Sequence, residues 1–307
     1  MNTEVSLAGI VMKNPVMTAS GTCGAYGKEI SQFYDPDRLG AFVPKSATLY
    51  PRQGNPPPRV VETASGMINS IGLQNDGIDA FLREGIEYLN QYDVPLIVNL
   101  SENSVVDFEK AAEKLSVPRV YGLEINVSCP NVEGEGMLFG KDPEATYTIV
   151  KAVKNATDKP IITKLTPNVN DIVEIAHAAY DAGTDALSMI NTVVGMAIDA
   201  EKQQSKIHGG GRYCGGLSGP CVKPVGVYNV YQVHKSGINV PIIGMGGITN
   251  GEDAVEYMLA GASAVSVGTG NFTDPYTPIN VIEGIEDYMK RHEIDDVNKI
   301  IGGLKDL

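Results

Sequence analysis

At 307 residues, with a net charge of −13 and a pI near 4.8, the chain has no basic stripe to neutralise phosphates, which excludes nucleic acid as a partner. Its four cysteines (Cys23, Cys129, Cys214, Cys221) are irregularly spaced with no Cys-x-x-Cys pair, which reads as reduced thiols of a cytoplasmic enzyme and excludes the usual iron–sulfur or zinc site. The N-terminus lacks a signal-peptide core and no apolar run reaches ~18 residues, so neither secretion nor a membrane is expected.

Length alone allows about two domains, yet single α/β barrels run this long. Taken in order, residues 5–12 read as a short hairpin, after which strand-like and helix-like segments alternate. The expected strands are 16–19, 41–46, 96–100, 122–127, 161–165, 186–191, 241–245 and 264–267. Amphipathic runs near 28–38, 76–91, 104–116, 143–157, 170–182, 222–236, 250–260 and 276–291 supply the helices. Several open on start signals such as Asp142-Pro143, Asn170-Asp171 and Asn250. Eight strands each followed by a helix imply an α/β parallel sheet closed into a (β/α)8 TIM barrel, with an N-terminal hairpin and long βα loops over its C-terminal rim. An open doubly wound sheet is the alternative. No linker interrupts the chain, so residues 1–307 are expected to form one domain.

In such barrels the chemistry sits at the C-terminal strand ends. These ends carry Ser20 to Gly24 after strand one, Lys45-Ser46 in strand two, Asn99 in three and Lys164 in five. Strand six gives Asn191-Thr192, seven Gly246-Gly247 and eight Gly268-Thr269. Strand four is the organising one. Leu123, Ile125 and Val127 alternate with Glu124, Asn126 and Ser128, and Cys129-Pro130 then breaks the ladder. A free cysteine is usually a small core hydrophobe, but these polar flanks argue for a presented thiol. Two excursions, 48–75 and 193–221, leave the same rim and are too long for idle connections.

Gly246-Gly247 and Gly268-Thr269, with Gly216 and Gly219 ahead of the sixth helix, offer bare backbone N–H groups to a phosphate. No Gly-x-Gly-x-x-Gly follows an early strand, so this chain does not bind NAD in the Rossmann manner. Lys45 and Lys164 sit in otherwise apolar strands, where a lysine is costly unless it meets an anion. A flavin mononucleotide (FMN) supplies such an anion; a Schiff-base aldolase using the same lysine is the competing enzyme. Asn69, Asn99, Asn126 and Asn191 each offer a donor and an acceptor, matching the imide-like edge of a flavin or a pyrimidine. Glu124 lies within its strand and the rim shows no other carboxylate, so acid–base work falls to Cys129. The histidines His177, His208, His234 and His292 are scattered and are assigned no metal.

Asn126-Val127-Ser128-Cys129-Pro130-Asn131, the run Gly66-Met67-Ile68-Asn69-Ser70-Ile71-Gly72-Leu73-Gln74-Asn75 and Gly246-Gly247-Ile248 resemble class 1 dihydroorotate dehydrogenase, a likeness that runs over residues 5–290. It implies an FMN-containing barrel that oxidises dihydroorotate to orotate in pyrimidine (UMP) biosynthesis. Cys129 would remove the C5 proton and FMN accept the hydride from C6. The resemblance implies substrate contacts from Lys45, Asn69, Ser70, Ile71, Gly72, Leu73, Asn126, Asn191 and Thr192. It implies FMN contacts from Ser20, Lys45, Ser46, Asn99, Asn126, Lys164, Ile190, Gly216, Gly246, Gly247, Gly268 and Thr269, with Lys164 stabilising the anionic reduced ring. Segments 131–140 and 48–56 look like the NAD-linked subclass. That implies a partner subunit carrying FAD and a [2Fe–2S] cluster, in a heterotetramer of two such partners and a central homodimer of barrels. The runner-up is the fumarate-using homodimer. Dihydropyrimidine dehydrogenase, whose iron–sulfur cysteines this chain lacks, ranks below it, and a non-catalytic scaffold barrel is the reading from a different class.

Overall fold

Strands buried on both faces need apolar or internally paired residues at every position rather than every second one. That pattern marks β3 (Val16–Thr18), β6 (Leu96–Leu100), β8 (Ile161–Lys164), β9 (Ala186–Met189), β14 (Ile242–Met245) and β15 (Ala264–Val267), all buried throughout. The computed structural model describes residues 1–127, 139–207 and 213–305. With β7 (Val120–Asn126) these strands form a parallel sheet in the order β3-β15-β14-β9-β8-β7-β6. Parallel bridges Met17↔Ala41 and Phe42↔Leu96 join its two edges and close the barrel.

The closing segment differs from the strand expected at 41–46, since only isolated bridges form there. Pro44 has no N–H for a ladder. Val43 turns instead to Thr18, whose hydroxyl accepts from Val43 N (2.9 Å) and lies 3.2 Å from Val43 O. A second correction concerns 28–38, where no α-helix forms but two short 3-10 turns, Ile30–Gln32 and Pro36–Arg38. Pro36 holds Asp35 in the extended region (ψ 116°), and that ends any helix begun at Ile30. The 76–91 run is helical over 78–89 but contains a π-turn at Phe81–Gly85.

The remaining helices follow their start signals. Asp142, Asp171 and Asn250 accept from the backbone N–H of Ala145, Val173 and Asp253, opening Pro143–Ala156, Ile172–Asp181 and Gly251–Ala260. Ser104 caps Val105–Leu115 in the same way, while Lys223–Lys235 and Thr277–Arg291 complete the outer layer. His177 and His234 lie on helices, as expected. The hairpin of β1 (Val5–Leu7) and β2 (Ile10–Met12) buries Leu7 and Met12, and its Ile10 abuts Gly122 near the start of β7. The hairpin thus lies toward the barrel end opposite the C-terminal rim.

At that rim the two excursions are fused. β4 (Val60–Thr63) and β5 (Gly66–Asn69) from the first pair with β10 (Val193–Gly195) and β13 (Gly215–Ser218) from the second, in the antiparallel order β10-β13-β5-β4. Between β10 and β13 lies the small pair β11 (Ile198–Asp199) and β12 (Gln204–Ser205). The register sets Gly216 opposite Asn69, and Asn69 Nδ2 donates to Gly216 O at 3.2 Å. One side chain expected at the substrate, Asn69, and one glycine expected at the cofactor, Gly216, therefore face each other in one sheet.

Candidate active site

A cavity of about 550 Å³ lies over the C-terminal strand ends, within the ~300–1,000 Å³ usual for small-molecule sites. From β6, β7 and β8 come Asn99, Asn126 and Lys164, and from the barrel-closing segment Lys45 and Ser46. Ser20 follows β3, Ile190, Asn191 and Thr192 follow β9, and Asn69 to Leu73 come from β5 and the turn after it. Gly216, Gly246, Gly247, Gly268 and Thr269 line the other side. Every predicted site residue that the structure describes is thus in the cavity wall. Cys129 lies outside the described residues, as do Ser128, His208 and the Gly209–Arg212 run. Val127 and, beyond that segment, Gly140 and Lys141 all line the cavity.

The wall is selectively charged. Although the chain carries −13 overall, Lys45, Lys141 and Lys164 line the cavity and no Asp or Glu does so among the described residues. One carboxylate stands just beneath. Glu124, in β7, is 3 % exposed and lies 3.6 Å from Lys164 Nζ, itself 6 % exposed. It accepts Asn99 Nδ2 at one oxygen and Ser188 Oγ (2.7 Å) at the other. With its amide nitrogen so engaged, Asn99 keeps a buried Oδ1 that has no hydrogen-bond partner among the described residues. An orphaned buried acceptor in a cavity wall is the mark of a ligand that donates there.

The opposite wall works through backbone. Gly246 (φ +122°) and Gly247 (φ +73°) adopt conformations that a side chain rarely tolerates. A Cβ on Gly247 meets Lys223 Cβ at 2.8 Å and Gly219 O at 2.9 Å. Buried Tyr257 holds this turn from below, its hydroxyl donating toward Gly246 O (2.8 Å) and Met245 O (3.1 Å). Asp253 ties it from the side, accepting Lys223 Nζ (2.7 Å), Thr249 N (2.8 Å) and Thr249 Oγ1 (2.7 Å). Thr269 Oγ1 donates to Ser218 Oγ at 2.8 Å, joining the turn after β15 to the rim sheet.

Several supports escaped the sequence reading. Asn168 lines the cavity, donates Nδ2 to Thr192 O (2.9 Å) and accepts from Val194 N (2.9 Å), fixing the strand-six turn. Its signal was available, a polar residue just past a strand end. Asn55 donates to Ser70 O (2.9 Å) and Ser70 Oγ (3.0 Å), and its own N–H donates to Ile71 O (2.9 Å). Glu102 accepts from Leu49 N at the root of the first excursion, and burial pushes its carboxyl up to about 7. Among the other cysteines, Cys23 is buried, with its thiol pushed up to about 12 by that burial, and Cys221 is exposed. Cys214 is half-buried and lines the cavity.

Residues 2–289 match the dihydroorotate dehydrogenase family. The chain is 50% identical over 302 residues, covering 98% of it and 97% of the relative, to the protein of Geotalea uraniireducens (strain Rf4) named dihydroorotate dehydrogenase B (NAD(+)), catalytic subunit. Proteins of the same name from Alkaliphilus oremlandii (strain OhILAs) and Thermoanaerobacter sp. (strain X514) are 51% identical over 303 residues and 49% over 305, with 99% of each chain covered.

Proposed function

The chain belongs to the dihydroorotate dehydrogenase family, and we propose that it oxidises dihydroorotate to orotate in pyrimidine biosynthesis, as the catalytic subunit of an NAD-linked enzyme. The observation that carries this reading is the cavity, which joins an amide-lined side to a glycine-lined one in a single cationic space.

The donor set fits FMN. Asn99 Oδ1 offers an unpaired acceptor to a ring N–H, and the turns at Gly246-Gly247 and Gly268 leave backbone N–H groups uncrowded for a phosphate. Ser20 and Ser46, whose hydroxyls lie 2.9 Å apart, and Ile190 complete the set that would hold it. When bound, FMN supplies a two-electron acceptor for hydride. The chain's own residues do the rest. Lys164 sets positive charge at the cavity wall beside Asn99 and Asn126. Asn69 to Leu73, Asn191 and Thr192 orient the pyrimidine, Asn191 donating to Asn126 Oδ1 at 3.3 Å and accepting from Thr192 N at 2.8 Å. Lys45, half-buried beside Gly21, faces the substrate's negative charge. Cys129 takes the proton from the substrate carbon, a role that rests on its position after β7. Holding substrate between base and acceptor at once is the larger part of the catalysis.

Electrons leave through a partner subunit carrying FAD and a [2Fe–2S] cluster, in a heterotetramer built on paired barrels in the cytoplasm. Support comes from the name of the relatives, which specifies a catalytic subunit and NAD(+), and from the absence of a dinucleotide fingerprint in this chain. Among the described residues no helix is long and apolar enough to cross a membrane. The test feeds dihydroorotate to purified chain with NAD⁺ or fumarate, with and without candidate cluster subunits from the same source. NAD⁺ reduction that appears only with a partner is expected. Rapid fumarate reduction by the chain alone, with no gain from any partner, overturns the assignment.

A further inference from the structure

We propose that Glu124 is a positioning residue of the flavin site, fixing both the polarity of Asn99 and the net charge beneath the ring. The proposal rests on the flavin reading above. Glu124 lies on the inward alternate face of β7, two residues before Asn126, and is buried with both oxygens engaged. A carboxylate only accepts, so Asn99 has to turn its donor Nδ2 toward Glu124. The acceptor Oδ1 is then the end left for a ligand. The same carboxylate is the ion-pair partner of Lys164 among the described residues, so the site presents a lysine already partly compensated. Stability alone gives little reason for such a pair, because well-packed apolar replacements of buried ion pairs are often neutral or stabilising.

The two halves of this proposal are separable by substitution. In Glu124→Gln the amide oxygen continues to accept from Asn99. The amide NH2 donates to Ser188, whose hydroxyl turns from donor to acceptor. Both contacts persist and the charge alone is removed.

The experiment begins by loading wild type and Glu124→Gln with FMN and measuring the midpoint potential by redox titration against reference dyes. With less negative charge near Lys164, the reduced anionic flavin gains on the oxidised one. The ratio of their affinities is expected to rise about tenfold, the effect of a unit charge over roughly 10 Å at an effective dielectric near ~20. For a two-electron couple that is a rise of about 30 mV. A second measurement needs no flavin. Unfolding midpoints of flavin-free Lys164→Met and of the double variant Glu124→Gln/Lys164→Met are compared; the single variant strands a buried carboxylate, so the double variant is expected to be the more stable. A potential at or below the wild-type value in Glu124→Gln, or a double variant no more stable than Lys164→Met, overturns the role. Failure of wild type to take up FMN instead overturns the flavin reading, while the unfolding comparison still decides whether Glu124 and Lys164 are coupled.

Discussion

The two sides of the cavity solve the same problem with different material. Along β6, β7 and β8 the wall is side chain: Asn99, Asn126 and Lys164 line it, and Asn99 and Lys164 are both tied to buried Glu124 beneath. Along β13, β14 and β15 the wall is backbone: Gly216, Gly246, Gly247 and Gly268 leave no Cβ in the way, and the supports lie behind them in Tyr257, Asp253 and Lys223. A side-chain wall recognises a particular edge and carries a set charge. A backbone wall recognises an anion of any kind and depends on shape. Substitutions on the first should therefore change chemistry with the cofactor still bound, and on the second should release the cofactor.

The largest effect is expected at Cys129, which follows β7 in sequence. Cys129→Ala should keep FMN and lose ~10²–10⁴ in turnover, the usual result of removing a general base. Cys129→Ser should retain a little activity, mainly at high pH, since a hydroxyl is the weaker acid. Cys214→Ala is the companion variant because Cys214 also lines the cavity. A greater loss at Cys214 than at Cys129 reassigns the base. Next is Gly247→Ala on the backbone half. A non-glycine residue in the left-handed region costs about 1–2 kcal/mol, and here the Cβ also meets Gly219 O at 2.9 Å. FMN release, followed by flavin fluorescence on dilution, should rise at least about tenfold. Gly237→Ala is the control, with a similar φ of +88° but nothing within 4 Å of its Cβ. Equal release from the two variants means that strain, and not the nest, governs retention.

The same contrast decides how much was legible in the sequence. The barrel was readable because strands buried on both faces are apolar throughout and the helices carry their caps at Asp142, Asp171 and Asn250. Strand two was over-read, since Val43 satisfies its backbone through Thr18 and Pro44 cannot join a ladder. The glycines of the backbone wall were visible as glycines, but the sheet pairing one of them, Gly216, with Asn69 was not. It pairs residues about 147 positions apart, Gly216 with Asn69, through strands of three or four residues that are too short to show a period. In the sequence Glu124 reads only as a residue within its strand. Its alternation with Asn126 already placed both on one face, and only the fold shows that the face looks inward onto Lys164.

A smaller shift is expected at Lys164. Removing its charge in Lys164→Ala leaves buried Glu124 in the cavity floor without its cation. The reduced flavin is then disfavoured by roughly tenfold, or about 30 mV downward for a two-electron couple. This is opposite in sign to the change expected for Glu124→Gln. An unchanged potential with full flavin occupancy means that the charge of Lys164 does not act on the flavin.

The smallest effect separates the acids that stand behind the two walls. Behind the backbone wall, burial raises the Asp253 carboxyl, but Lys223 and the Thr249 donors outweigh it and hold it below its usual range. Behind the side-chain wall, Glu102 accepts from Leu49 N, and among the described residues its cation is the distant Arg52 Nη2 at 3.9 Å. There burial wins and pushes the carboxyl from 4.5 to about 7. Between those values the folded chain holds a proton at Glu102 that the unfolded chain has released. Stability from this group is therefore fully present below about pH 4.5 and is lost as pH rises toward 7. Asp253 contributes no slope in that window, because its depressed carboxyl is ionised in both states above its usual value of 3.8. Glu102→Gln keeps an acceptor for Leu49 N and removes the titration. Wild type should lose stability relative to Glu102→Gln between pH 5 and pH 7.5, by roughly 2 °C in Tm. Parallel pH profiles for the two proteins mean that Glu102 stays ionised across that range, with Arg52 compensating it despite the distance.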